Sequence, residues 1–249
     1  MKYLAATSSN LDALHAHPDI GVMIGPRVGG MGSILTGRVW ASDCDALNLA
    51  RYSDDAFFEH LERLRPHHRT SLFITVPDLH GDAESTLAAF EHYGRVLAEF
   101  GFPLAYVLQD GAHEFDFPPC DWVFLGGTDD YREAYAALLI ERAREEGLRV
   151  HVGRVNSERR LKALAVLEAD TADGTYLSFK GVERGTHDVG LWLTSANSPK
   201  LWHASDLKAS SLGIDRVRYM REAFRKSRRT KYGPPTPDQA DLFGLPRSA

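Results

Sequence analysis

The sequence predicts an α/β chain folded as a TIM-like (β/α)8 barrel, a single domain with a basic C-terminal helical extension and a loose tail. Three observations predict it. Eight short apolar runs stand along the chain, and amphipathic helical patterns separate most of them. The length, 249 residues, matches the roughly 250 that one such barrel uses. With 43% hydrophobic and 25% charged residues the chain can bury an ordinary core, which excludes disorder, collagen and coiled coil.

The first three runs are Tyr3–Ala6, Ile20–Ile24 and Val39–Ser42. Little helical sequence lies between them, and the glycine-rich stretch Gly25–Gly37 reads as a mobile loop. A helix then spans Asp54–Leu64, with Ser53 as N-cap and Phe57, Phe58, Leu61 and Leu64 on one face, and Pro66 stops it. The fourth strand is Ser71–Val76. A helix follows Asp82, with Leu87, Phe90, Val96, Leu97 and Phe100 as its apolar stripe and Gly101 as its stop. Strands Leu104–Leu108 and Trp122–Leu125 come next, then a helix over Tyr131–Glu146 that ends at Gly147. Strand Arg149–Val152 precedes a helix over Ser157–Leu167, capped by Ser157 but with Arg160 where a capping box needs Glu or Gln. The last strand is Thr171–Leu177. These helices read as scaffold. The barrel occupies residues 1–205, the basic extension 206–231 and the tail 232–249, where Pro234, Pro235, Pro237 and Pro246 forbid a regular helix.

Charge is unevenly distributed. The chain carries −5 overall, yet residues 206–231 hold nine Lys or Arg against Asp206, Asp215 and Glu222, a local +6 that leaves −11 elsewhere. No apolar run approaches the 18 or so residues of a membrane span, and Met1–Leu14 lacks a signal-peptide pattern. Two cysteines, Cys44 and Cys120, build neither a disulfide framework nor a four-thiolate zinc site. The expected address is the cytoplasm.

In a parallel barrel the chemistry sits where strands end. Here Ser42 runs into Asp43, Val76-Pro77 into Asp78, and Leu108 into Gln109-Asp110. Leu125 is followed by Gly126-Gly127-Thr128, Val152 by Gly153-Arg154-Val155-Asn156, and the last strand carries Asp173 before Gly174-Thr175. Any one such aspartate has a plainer use as turn former or N-cap. Gly126-Gly127 serves equally as a tight turn or as backbone brought close to a flat ligand. The eleven histidines, His67-His68 among them, read mostly as solvated surface. No H-x-x-x-H or H-E-x-x-H pattern exists, and His113, His151, His187 and His203 are widely separated. G-x-G-x-x-G after a strand, G-x-x-x-x-G-K-[ST] and G-x-S-x-G are all missing. Paired carboxylates are the groups that break glycosidic bonds, one attacking the sugar carbon and the other moving a proton. Asp, Gln and glycine backbone are of the types that read a base edge.

The order of these residues resembles the queuine tRNA-ribosyltransferase superfamily, in particular its DNA-acting branch of phage and bacterial 7-deazaguanine transglycosylases. The likeness covers roughly residues 3–180, through WASDCDA from Trp40, VPDLHGD from Val76, VLQDG from Val107, FLGGT from Phe124, HVGRVNSERRL from His151 and ADGTYLSF from Ala172. The resemblance implies Asp173 as nucleophile on C1′ and Asp43 as acid or base. It implies Asp78, Gln109 and the Gly126-Gly127 backbone as the purine holders, supported by Arg154 and Asn156. Where the family shows a glycine-containing run ending in an aromatic, this chain has Cys44-Asp45-Ala46-Leu47, so Asp45 competes with Asp43. No cysteine follows Cys120, so the zinc site of the tRNA enzymes is expected to be absent, which shifts the expected substrate toward DNA.

The basic segment fits a polynucleotide. Arg216, Arg218, Arg221, Arg225, Lys226, Arg228, Arg229 and Lys231 fall on an expected helix with Tyr219 and Phe224, as phosphate-neutralising residues do, although a solvated helix face is the plainer alternative. Trp192, Trp202 and His203 read first as packing residues and second as stacking partners for an extruded base. The expected activity is exchange of guanine in DNA for a 7-deazaguanine base such as 7-cyano-7-deazaguanine, by double displacement through an aspartyl-deoxyribosyl intermediate. The two carboxylates are then expected roughly 5 to 6 Å apart. One glycosidic bond replaces another, so no ATP, nicotinamide or metal cofactor is needed; the partners are DNA and the free base, with no membrane. The alternatives are a noncatalytic DNA- or deazapurine-binding barrel, or the same chemistry on tRNA or with water as acceptor.

Overall fold

The structure, a computed structural model, describes residues 1–6, 17–29, 31–46 and 52–198. In chain order its elements are β1 (Lys2–Ala6), β2 (Ile20–Ile24), α1 (Met31–Leu35), β3 (Trp40–Ser42), α2 (Asp54–Leu64), β4 (Ser71–Thr75), α3 (Ala83–Ala98), β5 (Leu104–Leu108), β6 (Trp122–Leu125), α4 (Asp129–Glu145), β7 (Arg149–Val152), α5 (Glu158–Val166), β8 (Thr171–Gly174), α6 (Tyr176–Lys180) and α7 (Val182–Ala196). Arg65–Thr70 and Ala112–Glu114 are 3₁₀ turns. The eight strands follow one another in sequence order in a closed parallel barrel. This is the (β/α)8 fold. All eight runs read from the sequence are strands, and the caps read at α2 and α5 form: Ser53 accepts from Ala56 N at 3.2 Å and Ser157 from Arg160 N at 3.4 Å.

The chain divides into two compact units. One comprises Met1–Met23 and the described residues from Asp129 onward, with β1 paired on both sides, Leu4 against Gly21 of β2 and against Asp173 of β8. The other is Ile24–Thr128, where β3 to β6 pair in order around Trp40, Phe57, Phe73 and Tyr106, all 1% exposed or less. Aromatic rings interlock there: Phe73 lies 5.0 Å from Trp122, and Trp40 meets Phe102 edge-on at 5.7 Å. Phe57→Ala is expected to destabilise the fold by about 3–5 kcal/mol, because a ring-sized cavity opens in a packed core. A denaturation midpoint within error of wild type would show that this side chain is not packed as described.

Three features depart from the sequence reading. The glycine-rich stretch read as a loop contains the short helix α1, whose Ile34 and Leu35 are buried. β8 ends at Gly174 rather than Leu177. A Cβ on Gly174 would sit 2.5 Å from Asn156 Oδ1 and from Val155 O, so the backbone there is hemmed in and turns into α6. Helix α7 was not read at all. Its buried face, Thr186, Val189, Gly190, Leu193 and Ala196, is interrupted by glycine, and a Cβ on Gly185 would lie 2.8 Å from Leu177 Cα. Small residues that let α6 approach also erase the apolar stripe that marks a helix.

His60 corrects the surface reading of the histidines. It lies on the buried face of α2 with Phe57, Leu61 and Leu64, fully buried, its Nε2 2.9 Å from Ser42 Oγ. Burial, and then the charge of Arg63, pushes its imidazole down to about 4. The unfolded imidazole titrates near 6.5, so as pH falls from about 6.5 to 4 the unfolded chain takes up a proton that the native one refuses. Stability is therefore expected to fall over that window, by up to about 3 kcal/mol from this group. Comparing His60→Gln with wild type checks it: equal steepness of the two curves between pH 6.5 and 4 refutes the contribution.

Candidate functional site

In the Ile24–Thr128 unit the residues that follow β3, β4 and β5 meet. Asp78, 7% exposed, accepts from Gln109 Nε2 on Oδ2 at 2.5 Å, and the Cys44 thiol lies 3.7 Å from Oδ1. The carbonyl end of the Gln109 amide accepts from Gly81 N at 2.9 Å. Gln109 is thus first a brace for Asp78. The pair sets a carboxylate beside an amide, the group types that meet the edge of a base. Gly126 packs against the same amide, since a Cβ there would lie 3.3 Å from Gln109 Nε2 and 2.9 Å from a Val107 methyl. A side chain at 126 would clash with the Val107 methyl and crowd the Gln109 amide. Burial, and then the charges of Asp78 and Asp43, drives the Cys44 thiol well above its ordinary range, so it stays a protonated donor. Its backbone N–H is fixed on Thr75 Oγ1 at 2.9 Å.

Asp43 leaves β3 with its N–H on Ile24 O at 2.8 Å, and its Oδ1 accepts from Asp45 N at 3.0 Å. Asp45 is differently engaged. Its backbone is left-handed (φ 63°), and its Oδ2 accepts from both Nε and Nη2 of Arg27, at 3.1 and 3.0 Å. The guanidinium thus engages Oδ2 of Asp45 through two nitrogens, whereas Oδ1 of Asp43 closes its own turn on the N–H two residues on. Asp110, another aspartate after a strand, has the plainer use: its two oxygens clamp Thr128 N and Oγ1, each at 2.7 Å, and so hold the Gly126-Gly127 turn.

In the other unit Asp173 stands on β8 with its side chain 19% exposed. Oδ1 accepts from Arg154 N at 2.8 Å, and Oδ2 lies 3.1 Å from His151 Nε2. Arg154 presents that N–H because its backbone is left-handed (φ 63°), and Arg160 Nη1 holds its carbonyl at 3.3 Å. Val155 N donates to the carbonyl of Asp173 at 2.6 Å, and Tyr3 Oη donates to the carbonyl of Val155 at 3.2 Å. Burial, and then the charge of Asp173, raises the Tyr3 hydroxyl far above its ordinary value, so it remains a donor. Asn156 is exposed, with Oδ1 beside Gly174. Arg132 is fully buried, hydrogen-bonded to Asp129, and pushed down to about 10 by burial and then by the charge of Arg154. Trp192 packs against Tyr176, ring centroids 4.5 Å apart.

Each unit therefore gathers its own expected residues: Asp78, Gln109 and Gly126 in one, Asp173, Arg154 and Asn156 in the other. Sequence reasoning missed Tyr3, His151, Thr171 and Arg160. His151 and Thr171 sit on neighbouring strands, paired Cα to Cα, and only that register brings them under Asp173. The eight basic residues from Arg216 to Lys231, together with Trp202, His203 and the tail, lie outside the described residues.

The class these features define is a closed parallel (β/α)8 barrel with carboxylates at its strand ends. No protein-family model matches the sequence, and no curated protein matches it. Among solved structures, 3-hexulose-6-phosphate synthase from Salmonella typhimurium is similar, with 14% identity, coverage of 79% of this chain and 100% of that one, and a TM-score of 0.49. At that identity and score the likeness assigns no chemistry. Among the described residues no helix is long and apolar enough to cross a membrane.

Proposed function

We propose that this barrel is a DNA-guanine transglycosylase, which exchanges guanine in DNA for a 7-deazaguanine base through an aspartyl-deoxyribosyl intermediate. The observation that carries the reading is the seating of Asp173: a partly exposed carboxylate on the strand β8, with the Arg154 N–H donating to Oδ1 and the His151 ring nitrogen Nε2 against Oδ2. A carboxylate so held has its remaining lone pairs in set directions, which favours attack on a positioned carbon. Asp173 attacks C1′, the C1′–N9 bond breaks, and its electron pair leaves with guanine, which Asp43 protonates. The incoming base loses its N9 proton to Asp43 and attacks C1′; the bond to Asp173 breaks and the pair returns to the carboxylate. Asp78, braced by Gln109, takes the donor edge of each purine, and the Gly126-Gly127 backbone lies against its ring. Extruding the target nucleotide costs a few kcal/mol. The basic residues from Arg216 to Lys231 supply the phosphate contacts that meet this cost.

The test is incorporation of labelled 7-cyano-7-deazaguanine into duplex DNA and, in parallel, into tRNA. Label entering DNA supports the reading, whereas label entering tRNA alone corrects the acceptor. No label in either, with DNA still bound, moves the chain to a noncatalytic DNA- or deazapurine-binding barrel.

A further inference from the structure

His151 is fully buried in β7, and its two ring nitrogens each face a polar group: Nδ1 is 2.8 Å from Thr171 Oγ1, and Nε2 is 3.1 Å from Asp173 Oδ2. Asp173 accepts on Oδ2 if Nε2 carries the hydrogen, and Nδ1 then accepts from the Thr171 hydroxyl, which is itself buried. The β7–β8 register sets this chain of three, because His151 pairs with Thr171 and the side chains at 171 and 173 share one face of β8. An imidazole with no exposed surface touches no substrate. Its hydrogen bond acts on the charge of Asp173, together with the N–H of Arg154 on the other oxygen.

We infer that His151, held in its Nε2–H tautomer by Thr171, is a positioning residue that makes Asp173 a good leaving group in the second displacement. The inference rests on the transglycosylase reading above. A donor on a carboxylate stabilises its anionic form. In the first displacement that anion is consumed, so the donor restrains attack. In the second, the C1′–oxygen bond of the aspartyl ester breaks, its electron pair returns to Asp173, and the same donor stabilises the charge as it reappears. Removing the donor therefore slows release more than attack, and the covalent adduct accumulates. A structural role alone predicts instead that adduct and turnover fall together.

The experiment measures two quantities with labelled base and guanine-containing DNA: the exchange rate, and the steady-state fraction of enzyme crosslinked to DNA. His151→Ala is expected to lose about 10- to 100-fold in exchange, the range for one hydrogen bond to a charged group, while its crosslinked fraction rises above wild type. His151→Gln, which retains an N–H donor, is expected to recover much of the rate and return the fraction toward wild type. Thr171→Val is expected to shift both quantities the same way by a smaller factor, and it tests the inference if His151→Ala does not fold. An active wild type with crosslinked fractions unchanged or lowered in the folded variants overturns the inference and leaves the transglycosylase reading intact. A wild type that neither exchanges base nor crosslinks overturns both.

Discussion

Asp173→Ala is expected to abolish both the covalent DNA adduct and base exchange, with a fall in turnover of at least about 10⁴-fold, as removal of a nucleophile does when no other group replaces it. The substitution should leave the fold intact. Asp173 is the third residue of the four-residue strand β8, and the bond from Val155 N to its backbone carbonyl does not involve the side chain. Binding of DNA and of the free base should stay near wild type, because neither depends on the bond to C1′. Denaturing gel electrophoresis of enzyme incubated with DNA, with and without the incoming base, makes the measurement. A crosslinked band from the Asp173→Ala protein would remove this residue from the mechanism.

Asp43→Ala is expected to slow exchange by about 10² to 10⁴, the range typical of a lost general acid or base, without eliminating the adduct. Asp45→Ala is the informative companion. Asp45 is tied to Arg27 through both nitrogens of the guanidinium fork, so its removal should loosen the segment after β3 and cost far less than loss of Asp43. Comparable losses in the two variants, or a larger one at Asp45, would reverse the assignment of the proton shuttle. The sequence alone put Asp43 first and left Asp45 competing with it. The difference between them is a matter of which one Arg27 reaches, 18 residues away from Asp45 in the chain.

Much of the barrel was legible because strands and helices announce themselves locally. Leu104–Leu108 and Trp122–Leu125 are short apolar runs bounded by breakers, and the observed strands have those same limits. Ser53 and Ser157 cap the helices they precede, because a cap needs only the three residues that follow it. Helix α7 escaped for the converse reason: Gly185 and Gly190 are chosen by what packs on them, which local sequence does not record. His60 escaped through its residue type, although its spacing of three from Phe57 and four from Leu64 places it on the buried face.

By itself the sequence determined the alternation of strands and helices and the polar residues at strand ends, Asp43, Asp78, Gln109, Arg154 and Asp173 among them. Both follow from side-chain periodicity and from the turn chemistry of the next few residues. Only the tertiary structure decided how those residues are used. It made Gln109 a brace for Asp78, Asp110 a clamp on the Gly126-Gly127 turn, and Arg154 a backbone donor to Asp173. It also set His151 and Thr171 beneath that carboxylate. The physical reason is that a hydrogen bond depends on distance and direction in space, and residues 20 or 30 apart in a chain acquire those only from strand register and close packing.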